Sequence, residues 1–257
     1  MADYRTIRAG AGVRTGAIDQ GLQAHMNKVY ATMSVGLLVT AGVAWAMGGL
    51  SMTSDPTPYR IASDTYLTDV GYALFASPLK WVLMFLPLVM VFAFGAVVNR
   101  LSAAAAQLFF YVYAALMGLS LSWIMIVFTG MSIATTFLVT AAAFAALSIY
   151  GYTTKRDLSG FGTFLFMGVI GLIIASLVNI WLQSPAIQFA VSALGVLIFA
   201  GLTAFDTQRI KTDYISHAHA MDSEWLAKSA IMGALNLYLD FINLFMFLLQ
   251  FMGSQRE

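Results

Sequence analysis

The chain has 257 residues, 60% of them hydrophobic and 10% charged, with a mean hydropathy of +0.81. Soluble proteins average about 25% charged residues, so this composition excludes a soluble globular core and requires most side chains to be buried in lipid. No cysteine is present, which excludes disulfides, thiol redox chemistry and cysteine-ligated zinc or iron–sulfur sites, and the net charge of +1 gives no electrostatic case for nucleic acid.

Spanning segments need about 20 apolar residues and must satisfy their own backbone groups, which makes helices the expected structure for most of the chain. Residues 1–28 carry Arg5, Arg8, Arg14 and Lys28 and lack the apolar run of a cleavable signal peptide; they read as a short cytoplasmic tail that can continue into the first helix. Seven apolar segments follow, at about 29–50, 79–99, 103–127, 132–152, 161–182, 187–208 and 229–252, each long enough to span with some tilt. The expected organisation is a tail (1–28), a seven-helix transmembrane domain (29–252) and a C-terminal tail (253–257). Residues 51–78 hold Asp55, Pro56, Pro58, Arg60, Asp64 and Asp69 and read as an extramembrane loop. So does 209–228, which holds Arg209, Lys211, Asp213, His217, His219, Asp222, Glu224 and Lys228. Short connections around Gly130 and Pro185 make helices 3–4 and 5–6 antiparallel hairpins.

Orientation follows from the Lys and Arg residues on alternate sides. Of 13 in the chain, only Arg60, Lys80 and Arg256 fall opposite the N-terminus, which places the N-terminus in the cytoplasm and the C-terminus outside, as an odd helix count requires.

Of 12 acidic residues, all but Asp206 and Asp240 fall in tails and loops. A carboxylate at membrane depth costs at least about 2.5 kcal/mol and usually faces the protein interior or a water-filled cavity. Ser229, Gly233, Asn236, Asp240 and Asn243 recur at helical spacing and form one polar stripe on helix 7. In helix 6, Gly195, Thr203 and Asp206 are compatible with a similar inward face. Two carboxylates brought together in a low-dielectric site cannot both ionise cheaply and tend to share a proton. Ionised, they are hard oxygen ligands suited to Ca²⁺, so protons and calcium would compete. Arg100, on the same side as Asp206, is a candidate ion-pair partner that would close the cytoplasmic end.

Plainer readings stand beside these. Asp240 can be a packing residue satisfied by Asn or Ser on a neighbouring helix, Asp206 can be solvated near the interface, and Arg100 can be a positive-inside flank. His217, His219, Asp222 and Glu224 match no defined metal-ligand spacing and read as a solvated loop. Gly-rich phosphate loops, nucleophile elbows and paired-His zinc motifs are absent in context.

Two stretches go beyond composition: Gly201-Leu-Thr-Ala-Phe-Asp-Thr-Gln-Arg-Ile-Lys211 and Ala230-Ile-Met-Gly-Ala-Leu-Asn-Leu-Tyr-Leu-Asp-Phe-Ile-Asn-Leu-Phe245. Both resemble the signature of the transmembrane Bax inhibitor motif family, in its bacterial branch. The resemblance implies an all-α membrane fold in which two three-helix layers wrap a central C-terminal helix. It also implies a pH-regulated calcium leak of the inner membrane, with the family's paired aspartates at Asp206 and Asp240 and its gating arginine at Arg100. On this reading Asn236, Asn243 and Thr203 form a supporting polar face. Asp206 and Asp240 are candidate Ca²⁺ ligands, and calcium enters as permeant or bound ion with no other cofactor. The 51–78 and 209–228 segments depart from the more compact family members. The alternative is a regulatory interaction protein acting on a membrane protease or a stress and cell-death response, through its tail and the 209–228 segment. An enzyme is the least favoured reading: Phe205-Asp206-Thr207 and Leu239-Asp240-Phe241 lack the Tyr-Asp and Gly-x-Gly-Asp contexts of intramembrane aspartyl proteases.

Overall fold

The computed structural model describes residues 4–62, 65–217, 220, 222–254 and 256, with side chains from Asp19 onward except that of Ala62. The side chains of Arg5, Arg8 and Arg14, and residues Asp64 and His219, lie outside the described residues. Seven long helices carry the fold: α1 (Tyr4–Ser51), α2 (Leu79–Val97), α3 (Ala103–Leu121), α4 (Gly130–Thr153), α5 (Ser159–Leu182), α6 (Pro185–His217) and α7 (Ser223–Met252). Each contains a stretch long and apolar enough to cross a membrane.

Local chemistry sets the helix ends. The side chains of Ser102, Thr129 and Asp222 accept from the backbone N–H groups of Ala105, Ser132 and Trp225 and so cap α3, α4 and α7. Gln183 ends α5 in the left-handed region at φ 48°, and Pro185 opens α6, where its missing N–H is not needed.

The spans agree with the apolar segments to within a few residues, but three polar boundaries do not. The boundary placed at residue 28 falls inside α1, which runs unbroken from Tyr4 and already buries Leu22, His25 and Met26 in the bundle. The 51–78 segment is not plain loop. Strands β1 (Met52–Thr53), β2 (Arg60–Ala62) and β3 (Thr65–Leu67) form an antiparallel sheet of order β1-β3-β2. The 209–228 segment is mostly helix, since α6 continues to His217 and α7 starts at Ser223. Charge there marks where the chain leaves the hydrocarbon, whereas the helix persists on its own hydrogen bonds and on the Arg209–Asp213 pair at (i, i+4).

Helix α3 packs against both α1 and α2, and α6 packs against both α4 and α5, which gives two three-helix layers. Helix α7 lies between them, in contact with α1, α3, α4 and α6. Its apolar window is 61% buried, against 33% or less for every other span, so α7 is the central element. Two glycines permit the closest approaches. A side chain at Gly118 would strike the Thr40 backbone of α1, and one at Gly151 would strike the Ala204 carbonyl of α6, the small-residue contact by which membrane helices associate. Large side chains such as Phe92, Leu138, Phe164 and Trp181 point outward, as lipid-facing surfaces do.

Candidate carboxylate pair

Asp206 sits on the inward stripe of α6 with Leu202, Thr203 and Ile210, all buried. Asp240 occupies the face of α7 that meets this stripe, and Gly233 lets α7 come up against the Ile210 side chain two turns away. The two aspartates are 9% and 5% exposed, and their carboxyl groups lie close enough to each other to interact. A hydrogen bond between two such groups needs a proton on one of them, because a carboxylate only accepts. The structure therefore brings together the two acidic residues singled out in the sequence. Asp240 Oδ2 has no hydrogen-bond partner in the protein, a costly arrangement for a buried carboxyl.

The cation beside the pair is Arg209. Its Nη1 lies 4.0 Å from Asp206 Oδ1, and its Nε lies 4.0 Å from Asp213 Oδ2. The expected Arg100–Asp206 ion pair is not formed. Arg100 ends a short 3₁₀ turn after α2 and is exposed, and α2 packs on α3 rather than on α6. Arg209, one helical turn from Asp206 on the same helix, reaches it without any movement between layers.

The supporting polar face is only partly assembled. Thr203 Oγ1 donates to Phe199 O at 2.8 Å and Asn243 Nδ2 donates to Leu239 O at 2.8 Å, so both side chains bond to their own helices instead of joining the aspartates. Asn236 is half-buried one turn before Asp240. Among the described residues no three His, Cys, Asp or Glu side chains converge on one point. His217 Nδ1 lies 2.9 Å from Asp213 O and its ring packs on Trp225, Asp222 caps α7, and Glu224 Oε1 accepts from Ala103 N at 2.6 Å.

Two sets of contacts escaped the sequence reading. Gln208 accepts from Leu158 N at 2.8 Å and donates to Arg156 O at 2.7 Å, and Lys211 Nζ donates to Tyr152 O at 2.7 Å. These bonds fasten the α4–α5 connection to the inner end of α6. Both residues lie in the Asp-Thr-Gln-Arg-Ile-Lys run, where the signal was a polar residue at Gln208 and another one helical turn later at Lys211. The second set is Tyr238 with Thr40, whose oxygens are 2.7 Å apart. Its members lie in two helices far apart in sequence, and nothing in either segment marks the partner.

Comparison with known proteins gives consistent matches along the chain. A family model described as "Inhibitor of apoptosis-promoting Bax1" (Bax1-I) matches residues 22–257. The inner membrane protein YbhL of Escherichia coli (strain K12) is 46% identical over 236 residues, covering 92% of this chain and 94% of YbhL. The uncharacterized protein RP147 of Rickettsia prowazekii (strain Madrid E) is 41% identical over 258 residues, covering 100% of both chains. The uncharacterized membrane protein SpyM3_0260 of Streptococcus pyogenes serotype M3 is 33% identical over 235 residues, covering 91% of this chain and 94% of the relative.

Proposed function

We propose, for this chain, which belongs to the Bax inhibitor-like family and is a multi-pass inner-membrane protein, a passive pH-sensitive calcium leak controlled by Asp206 and Asp240. The observation that supports it is the approach of two buried carboxyl groups across the α6–α7 interface, with one oxygen of Asp240 left without a protein partner. With a proton between them, the carboxyls hold α6 and α7 together. Without it, two adjacent anions repel each other and become ligands for a hard cation.

Ca²⁺ takes about six to eight oxygen ligands, more than two carboxylates supply. Water and backbone carbonyls complete the shell, which suits brief occupancy during passage rather than storage. Arg209, in place of Arg100, tempers the charge of Asp206 from the aqueous side. The mobile element in this scheme is α7, because it alone touches both layers extensively.

Purified protein in dye-loaded proteoliposomes tests the reading. Ca²⁺ entry that varies between about pH 6 and pH 8 and loses that variation in Asp240→Asn supports it, since a group that no longer titrates cannot carry the dependence. Absence of flux at every pH with folded protein refutes the leak and leaves regulation of a membrane protease or stress response as the function to pursue.

A further inference from the structure

The two layers part between α1 and α4, which hardly touch each other, and leave an open groove of about 930 Å³. That is the upper end of the range for a ligand site. The α1 wall runs from Asp19 to Ala41, about 33 Å at 1.5 Å per residue, enough for a headgroup and an acyl chain within a hydrocarbon core of about 30 Å. Phe241 of α7 forms part of the floor.

The groove is most polar at one end. Asp19, Gln23 and Asn27 lie at the inner end of α1, opposite Tyr152 near the end of α4, while the deeper part is lined by Leu37, Phe137 and Ala141. A head at the cytoplasmic interface with a tail in the hydrocarbon has this same polarity, and a water-soluble ligand does not. The mouth also carries a carboxylate on its α1 wall. Asp19 is exposed and enters no ion pair among the described residues. This carboxylate complements a headgroup that carries an ammonium. A primary ammonium, unlike a quaternary one, can also donate hydrogen bonds to the carboxylate and the amide oxygens beside it. On the α4 wall, Ser148 is buried and its hydroxyl has no partner within the protein.

We propose that the groove between α1 and α4 holds one phospholipid with a primary ammonium headgroup, its chain along Leu37 and Ala141 and its ammonium beside Asp19. The site is separate from the carboxylate pair, and its occupancy does not depend on the calcium reading.

The full-length protein, equilibrated with equal amounts of phosphatidylethanolamine and phosphatidylglycerol, is examined by native mass spectrometry at a stringency that strips annular lipid. The wild type retains one phosphatidylethanolamine in preference to phosphatidylglycerol. Ala145→Trp, which fills the groove from an exposed wall position, lowers retention by about tenfold. Ala41→Trp does the same from the opposite wall and serves if the first variant does not fold. Asp19→Asn keeps the lipid but loses the headgroup preference. The proposal is overturned if the wild type retains no lipid, retains both lipids equally, is as fully occupied in the filled variants, or closes the groove with a second copy of the chain.

Discussion

Tyr238 and Thr40 join the central helix to the first layer: their oxygens are 2.7 Å apart, and Thr40 Oγ1 lies 2.8 Å from Ala114 O and 3.0 Å from Gly36 O. The Tyr238 ring packs edge-on against Phe110 and Tyr113. Asp240, two residues further along α7, meets Asp206 of the second layer, because two residues advance about 200° around a helix. Helix α7 is thus anchored on one face by a neutral hydrogen-bond network and on the opposite face by a group that titrates.

Loss of the neutral anchor is expected to cost stability. Thr40→Val leaves the buried Tyr238 hydroxyl and the Ala114 carbonyl without this partner and should destabilise the protein by about 1–3 kcal/mol. Tyr238→Phe leaves Thr40 its backbone acceptors and should cost about 0.5–1.5 kcal/mol. Unfolding in mixed detergent micelles measures both, and equal stability of Thr40→Val and wild type would show that the network contributes nothing.

Arg209 and Arg100 are separable by flux. Arg209→Gln removes the cation paired with Asp206, which makes the proton easier to hold and moves the pH midpoint of flux upward. The guanidinium side chain is 52% exposed, so solvent screening keeps the shift below about one pH unit. Arg100→Gln leaves the midpoint where it is. The reverse pattern would restore Arg100 as the gating cation.

Gly151 admits no side chain without displacing the Ala204 backbone. Gly151→Val is expected to force α4 from α6 and destabilise the fold by about 1–3 kcal/mol, whereas Gly130→Val, where nothing lies within 4 Å, should be mild. Thermal unfolding of the two variants in one detergent makes the comparison.

The seven spans were legible because an apolar run of bilayer length has one structural solution, and Asp206 and Asp240 stood out because a carboxylate at that depth is expensive. The polar margins were less legible. Charge between Arg209 and Lys228 marks the membrane boundary, and amphipathic helices cross that boundary freely. The little sheet at Met52–Leu67 rests on strands of two and three residues, too short for a period-two pattern to register. Arg100 and Arg209 illustrate the limit at the site itself: both are basic residues on the expected side, and only the packing of α2 on α3 decides between them.

Asp157 provides a check outside the membrane. Hydrogen bonds from the Ser159 side chain and backbone hold its carboxyl below the usual aspartate range. A depressed folded-state value stabilises the fold above the unfolded-state value of about 3.9, and that contribution is lost as pH falls through the folded value. Ser159→Ala should move the titration back toward the ordinary range without restoring it fully, because the backbone N–H still donates. Carboxyl ¹³C NMR of selectively labelled protein reads the shift, and an unchanged titration would count against the side-chain bond.

The most direct test of the proton-sharing pair is the pH profile of Ca²⁺ flux in wild type, Asp206→Asn, Asp240→Asn and the double variant, reconstituted at matched density. Two groups that share one proton act as a unit, so each single variant should flatten the profile and the double variant should add nothing further. Effects of the two single substitutions that simply add, or a wild-type profile retained in either, would contradict the account.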